Sequence, residues 1–483
     1  MTVDEPSEHT QPATQRDDRL RLIIPLVIAL AFLMEQVDST SITTAIPQMA
    51  RDLDTTVLRM NLAITSYVLT LAVFIPISGW LADRFGARKI FILALLVFTT
   101  SSVLCGMADS LGWLVAMRAM QGFGGAMMTP VGRLILLRSF PRRQFFTAML
   151  YMSVPALMGP VIGPLLGGLL TSYASWRWIF YINVPFGILG IILALRFIDE
   201  FRSPERIGFD VPGFLLVGAG LGLIQFAIEN LNHSIIPPLV NAVVLMLAIA
   251  LLIAFYFYAQ RVRFAVIDLS LFRVRSFRIG TLFGGICRLG VNGVSYMLPL
   301  MLQIGFGLSP IESGSLTFCS SLGALMIRPV ATTLLRLLGF DRILVGSAAL
   351  VAIVMAGFAL IGADASSWMI AGYIAIFGLF RSAQFTSANT LAYADLPSEQ
   401  LSRAASAGGV LQQLSLSLGV TLSAVFLEII SGAPETLQLS DFHGVFLLLA
   451  VVPLLSIPGF MTLKPEDGLS VSGHQRKKAS GRE

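Results

Sequence analysis

Charge is what this sequence has least of. Asp, Glu, Lys and Arg make up 13% of its 483 residues, against about 25% in a soluble domain. A globule of this size cannot be coated with so little charge, so a string of soluble domains, which the length alone would allow, is excluded. Cysteine is scarce too. Cys105, Cys287 and Cys319 all fall in apolar stretches. Three is odd and no spacing pairs them, which excludes a disulfide framework and a zinc pattern. The four histidines, His9, His233, His443 and His474, lie in tails or near loops, and no pair has metal-ligand spacing. There is no Gly-x-x-x-x-Gly-Lys-Ser/Thr loop for ATP and no Gly-x-Ser-x-Gly nucleophile elbow. An enzyme, a metal site and a bound cofactor are therefore not expected. The first twenty residues lack an apolar core, so no cleavable signal peptide is expected.

What is abundant is apolar surface. Apolar residues are 55% of the chain, Gly numbers 43, and mean hydropathy is +0.79. About 20 apolar residues carry a helix across the hydrocarbon. Fourteen such runs are present, near 22–47, 60–82, 90–107, 113–136, 145–172, 179–198, 211–229, 238–259, 279–302, 312–335, 342–363, 367–391, 404–430 and 441–463. A β-barrel would alternate polar and apolar residues in ten-residue segments instead. The expected fold is all-α, a polytopic membrane protein with 14 transmembrane helices.

The net charge of +5 is a topology signal and not a nucleic-acid footprint. With the N-terminus in the cytoplasm, 25 of the 33 Lys and Arg fall in inside loops and tails, three (Arg51, Arg59, Arg177) outside, and five within spans. That bias places both termini in the cytoplasm. Residues 1–21 and 464–483 read as cytoplasmic tails, with His474-Gln475-Arg476-Lys477-Lys478 a weak anionic-lipid patch. Residues 22–198 and 261–463 read as two six-helix bundles, and 199–260 as two extra central helices with a linker. Two echoes suggest that the bundles are duplicated. Arg118-Ala-Met-Gln121 returns as Arg381-Ser-Ala-Gln384. Asp83-Arg84-Phe85-Gly86-Ala87-Arg88 returns, decayed, as Arg336-Leu-Leu-Gly339-Phe-Asp-Arg342.

The loop after span two reads Gly79-Trp-Leu-Ala-Asp83-Arg84-Phe-Gly86-Ala-Arg88-Lys89. Gly79 would let helices approach closely, Asp83 would pair with an Arg or cap a helix, and Gly86 would allow a tight turn. Taken alone, it could equally be a basic turn that only fixes topology.

This loop resembles the signature loop of the major facilitator superfamily. Arg118-Ala-Met-Gln121-Gly122-Phe-Gly124-Gly125 is similar to that family's fourth-helix motif. Met158-Gly159-Pro160-Val-Ile-Gly163-Pro164-Leu-Leu-Gly167-Gly168 is similar to its antiporter motif. Val37-Asp38-Ser-Thr40-Ser-Ile-Thr43-Thr44-Ala-Ile46-Pro47 and Trp176-Arg177-Trp178-Ile-Phe180-Tyr-Ile-Asn183-Val-Pro185 resemble the fourteen-helix branch. The resemblance implies the drug:proton antiporter branch of EmrB/QacA type. Thr43 stands where that branch usually has Asn. Arg288, Arg328 and Arg381 are unusual for a multidrug pump.

Glu35 and Asp38 are the two acids well inside a span. A carboxylate at mid-bilayer costs at least ~2.5–3.5 kcal/mol. Two acids three residues apart on a helix share a side and cannot both ionise cheaply, so they are the candidate proton carriers, Asp38 also because the motif places an acid there. The alternative is a pair satisfied by its neighbours that only holds the bundle together. Arg118 lies at a compatible depth, and an Asp38–Arg118 interaction that switches with protonation is expected. Gly159, Gly163 and Gly167, with Pro160, Pro164 and Gly168, repeat at i+4, either as a kinked hinge near a gate or as a passive packing seam. Arg288, Arg328 and Arg381 share a depth of ~12–15 Å in the second half. With Gln384, Asn389 and Gln412 they are candidates for a substrate cavity, unless the arginines only snorkel or bond helix carbonyls.

The expected function is proton-coupled antiport, exporting small amphiphilic compounds across the inner (plasma) membrane by alternating access, with no cofactor beyond the proton gradient. The alternative is an exporter of one endogenous anionic metabolite such as a siderophore. Expected partners are the substrate, protons and the lipid bilayer, with no nucleic acid; a periplasmic adaptor protein is a further candidate.

Overall fold

A computed structural model describes residues 16–139, 158–159, 162–200, 208–233, 236–262, 265–397, 400–432, 437–464 and 466–469. The described residues form helices and no strand. In chain order these are α1 (Arg16–Asp52), α2 (Asn61–Phe85), α3 (Ala87–Gly106), α4 (Leu111–Ser139), α5 (162–173), α6 (Trp178–Tyr181), α7 (Asn183–Phe197), α8 (Val211–His233), α9 (Pro238–Ala259), α10 (Arg275–Arg278), α11 (Gly284–Leu300), α12 (Pro310–Met326), α13 (Arg328–Gly357), α14 (Ser367–Ala394), α15 (Leu401–Ser431), α16 (Leu439–Leu454) and α17 (Ile457–Phe460).

Among the described residues, nine helices are long and apolar enough to cross a membrane. The apolar runs dictate helices because a backbone in hydrocarbon must satisfy its own hydrogen bonds. Several expected spans are not simple rods. α1 starts at Arg16, inside the expected tail. The tenth expected run breaks at Ile327 between α12 and α13. Much of the fifth run, Pro160 included, lies outside the described residues. Helix starts follow local chemistry: Ser309 and Glu312 form a reciprocal capping box on α12, and the Ser366 hydroxyl caps α14.

The repeat seen in sequence has a backbone counterpart. Gly86 joins α2 to α3 at φ 105°, ψ 131°, and Gly339 splits α13 into two arms at φ 79°, ψ 167°. Both are conformations that L side chains avoid. α4 packs on α2 and α3, as α14 packs on α12 and α13. Close approaches help: a Cβ on Gly378 would collide with the Ser320 backbone, and one on Gly323 with the Ala375 backbone.

Outside this core sit α8 and α9, packed on each other. In α9 only Asn241, Ala248 and Phe255 are buried, which suits a helix facing lipid. α8 rests on both α2 and α15. Phe214 meets Phe74, Phe209 meets Trp80, and buried Gln225 donates to Thr421 Oγ1 at 2.7 Å. The sequence left these two helices without a role. In the structure α8 straps one half to the other.

The halves also meet directly through α1 with α11 and α12, and α2 with α15. Gln303 Nε2 donates to the Thr44 carbonyl at 2.8 Å, the Tyr296 hydroxyl to the Val57 carbonyl at 3.2 Å, and Ile311 N–H to Ser172 Oγ at 3.1 Å. These three bonds lie at the end of the bundle opposite the Gly86 and Gly339 turns.

Gly339→Ala is expected to cost about 1–3 kcal/mol, because that backbone conformation is essentially Gly-only. Gly346→Ala, on a helix with open space around it, is expected to be neutral or mildly stabilising. Thermal unfolding of the purified protein distinguishes the two.

Candidate functional site

α1 presents Met34, Glu35, Asp38, Ile42, Ala45, Ile46 and Met49 to the protein interior, the 3.6-residue stripe of a buried helix face. Asp38 is completely buried. Its Oδ2 lies 2.5 Å from Arg118 Nη1, and both side chains are fully enclosed. Asp38 Oδ1 accepts from Gln121 Nε2 at 2.9 Å and from Asn183 Nδ2 at 2.8 Å. Both amides also reach the Ser102 hydroxyl, at 2.7 and 3.2 Å. Arg118 donates through Nε to the Ala63 carbonyl at 3.0 Å and through Nη1 to Gln121 Oε1 at 2.6 Å. Its guanidinium stands 4.2 Å from the Tyr67 ring centroid.

Five helices thus converge on one carboxylate: α1 supplies it, α4 the cation and an amide, α7 the second amide, α3 a hydroxyl, and α2 a carbonyl and a ring. The arrangement can do one thing well. An ionised Asp38 is held by a charge and two neutral donors. A protonated Asp38 no longer attracts Arg118, whose Nη2 has no hydrogen-bond partner among the described residues.

Glu35 is buried at 7% exposure. One oxygen accepts from Thr129 Oγ1 of α4 at 2.8 Å, and it makes no ion pair among the described residues. Although Glu35 and Asp38 lie on one side of α1, they serve different partners. Thr43, at the position of the branch's usual Asn, donates to its own helix at the Thr40 carbonyl, 2.9 Å away.

The glycines of the fifth span face α1. Ser41 Oγ donates to the Gly163 carbonyl at 2.8 Å. A Cβ on Gly159 would strike Gln36, on Gly163 Thr40, and on Gly167 the Ser41 carbonyl. One step round the helix, Gly168 abuts the Pro310 and Ile311 backbone, and the Pro164 carbonyl abuts Gly314. α5 is therefore wedged between the first helix of one half and α12 of the other.

In the signature loop, Gly86 makes the turn and the Glu200 side chain covers it. Arg88 donates to the Leu195 carbonyl. Arg84 is exposed and Asp83 half-buried. Gly79 differs from expectation: it is exposed, with nothing within 4 Å of where a Cβ would stand. Among the described residues no helix exploits its lack of a side chain.

In the second half, Arg288 donates to the Gly284 carbonyl and to Asn389 Oδ1, both at 3.2 Å, and its guanidinium lies 5.2 Å from the Phe385 ring centroid. Arg381, half-buried one turn before Phe385, lies 6.0 Å from the Phe377 ring. Neither has an ion pair among the described residues. Gln384 is buried against Ser347, while Gln412 is exposed on α15. The structure thus gathers Arg288, Asn389 and Arg381 along α14 and leaves Gln412 apart. The Arg328 side chain lies outside the described set.

The model of the Major Facilitator Superfamily matches residues 28–419 and, again, 280–481. The chain belongs to the major facilitator superfamily. It is accordingly an integral membrane transporter and not an enzyme. It is 37% identical over 454 residues to the putative multidrug resistance protein MdtD of Pectobacterium atrosepticum, covering 93% of this chain and 97% of that one. It is 35% identical over 462 residues to the protein of the same name from Escherichia coli, covering 94% and 97%. Among solved structures, the nucleoside transporter NupG aligns with a TM-score of 0.64 at 13% identity, covering 92% of this chain and 99% of that one. Tetrameric PepTSo2 aligns at 0.61 and 15%, covering 91% and 97%. At such identities these two speak for the superfamily fold alone.

Sequence reasoning gave no role to Asn183, Ser102, Tyr67 and Thr129. Asn183 stood inside a quoted motif, and a buried amide in an apolar run was the available signal. The others are ordinary hydroxyls that only the packing assigns.

Asn183→Ala removes a donor from a buried carboxylate and is expected to cost about 1–3 kcal/mol. In an Asp38→Asn background the same change is expected to cost clearly less, because the charge it serves is gone. A double-mutant cycle read by thermal unfolding measures the difference.

Proposed function

We propose that this transporter is a proton-coupled antiporter that exports small, partly hydrophobic molecules across the inner membrane by alternating access. Fourteen helices cross the bilayer with both termini in the cytoplasm. Residues 22–198 and 261–463 form the two lobes, and 199–260 carry the extra helices. The orientation is supported by the arginine-rich loops. The cargo class is supported by relatives that bear the name of multidrug resistance proteins.

The single observation that carries the coupling is the sealed Asp38–Arg118 pair with its two amide donors. A proton entering from outside neutralises Asp38. Arg118 then turns to its remaining acceptors, the Ala63 carbonyl and Gln121. Because α1 also contacts α11 and α12, a change in its packing bears on the seam between lobes. Glu35, held by the neutral Thr129 hydroxyl, is the second carrier and relays the proton toward the cytoplasm. The glycine face of α5, wedged between α1 and α12, acts as the hinge and keeps the pathway tight. Export of one endogenous anionic metabolite is the narrower reading, favoured by the unpaired arginines of the second half. A periplasmic adaptor protein remains a candidate partner of the exporter.

Inverted membrane vesicles with an imposed pH gradient and a panel of lipophilic dyes test this. Asp38→Asn is expected to abolish gradient-driven dye movement, a loss of at least about 100-fold, while the protein still binds dye. Glu35→Gln is expected to slow it. Undiminished gradient-driven transport by Asp38→Asn contradicts the coupling. Gly163→Leu, which forces a side chain into Thr40, is expected to stop transport, and normal transport by it removes the hinge.

A further inference from the structure

The two halves differ in one chemical respect. In the first, the mid-span cation Arg118 is neutralised by Asp38. In the second, Arg381 occupies the matching place in the repeated Arg-x-x-Gln motif, and no acid among the described residues answers it. Arg288 is likewise without one and is only 8% exposed. The hydrogen bonds Arg288 does make, to Gly284 and Asn389, are to neutral oxygens.

Two guanidiniums with no counter-ion among the described residues, Arg288 buried and Arg381 half-buried, are expensive at membrane depth, so the second half is incomplete as it stands. The groups around them form one line. Phe377, Arg381, Phe385, Asn389 and Tyr393 follow each other at i+4 on α14, and Arg288 crosses from α11 to lie over Phe385.

We propose that Arg288, Arg381 and Asn389 form the binding site for an organic anion, a carboxylate attached to an apolar or aromatic body. The carboxylate pairs with the planar fork of Arg381, which matches its two oxygens, and Arg288, held over Phe385, adds the second positive charge. Asn389 holds Arg288 in place, and Phe385 covers the apolar body. Cations are rejected by the same two charges. This rests on the exporter reading above and narrows it: one lobe carries the proton carriers, and the other takes the cargo's negative charge.

The test is equilibrium binding to the purified full-length protein in detergent, by titration calorimetry, of three probes of one shape: 1-naphthoate, 1-naphthamide and 1-naphthylmethylammonium. The carboxylate is expected to bind at least ~10-fold more tightly than the amide, and the ammonium more weakly than either. Arg381→Gln is expected to weaken naphthoate ~10-fold and to leave naphthamide unchanged, with Arg381→Lys recovering part of the loss. Asn389→Ala gives a smaller loss of the same kind. Arg381 holds no hydrogen bond that folding depends on, so its variants remain informative if Arg288→Gln fails to fold. Ammonium binding as tight as naphthoate, naphthoate affinity unmoved by Arg381→Gln, or no binding by any probe each overturns the proposal. No gradient is present, so a failure of proton coupling leaves this result untouched. A protein that binds naphthoate yet ignores the pH gradient refutes the antiport reading alone.

Discussion

A carboxylate and a guanidinium sealed away from water must answer each other, and the rest of the first half is arranged around that requirement. Removing one partner of such a pair leaves a buried charge and costs about 3–5 kcal/mol. Replacing both with apolar groups of the same shape is often harmless, so stability alone does not explain why Asp38 and Arg118 are there. A pair that is worth little when intact and much when broken is suited to a switch. The neutral donors Gln121 and Asn183 hold Asp38 in place, so it is the guanidinium that would answer a change of charge on the carboxylate.

In the proposed cycle the seam is the route by which that change would reach the rest of the protein. α1 carries Asp38 and Glu35, receives the glycine face of α5, and touches the other lobe through α11 and α12. Where side chains are this small, backbones touch, and a shift of one helix displaces the next instead of being absorbed by rotamers. α8 adds a second tie on the outer side, with Gln225 bonded to Thr421. Any rocking of the lobes has to accommodate that bond.

Much of this was legible in the sequence. Apolar runs gave the helices, because their hydrogen bonds can be satisfied in no other way in lipid. Loop arginines gave an expected orientation. The contact of Asp38 with Arg118 followed from matched depth, and the glycine period marked a close-packed face on the fifth span, which the structure sets against α1. What was not legible depends on three-dimensional neighbours. Periodicity could not say that Asn183 completes the carboxylate's shell, nor that Glu35 turns to Thr129 and not to an arginine. At Gly79 the motif suggested close packing, but no described residue comes within 4 Å of where its Cβ would stand. The break at Ile327 was hidden inside the tenth apolar run, whereas the Gly339 turn falls in the loop expected between runs ten and eleven.

The central claim is that Asp38 itself gains and loses a proton while sealed against Arg118. Infrared difference spectra of the purified protein between acid and neutral pH read this directly, through the carbonyl stretch of a protonated carboxyl group. The account predicts such a band, shifted by deuterium exchange, and missing in Asp38→Asn but present in Glu35→Gln. A spectrum in which every protonated-carboxyl band survives Asp38→Asn would mean that Asp38 stays ionised and that the pair is only a structural tie.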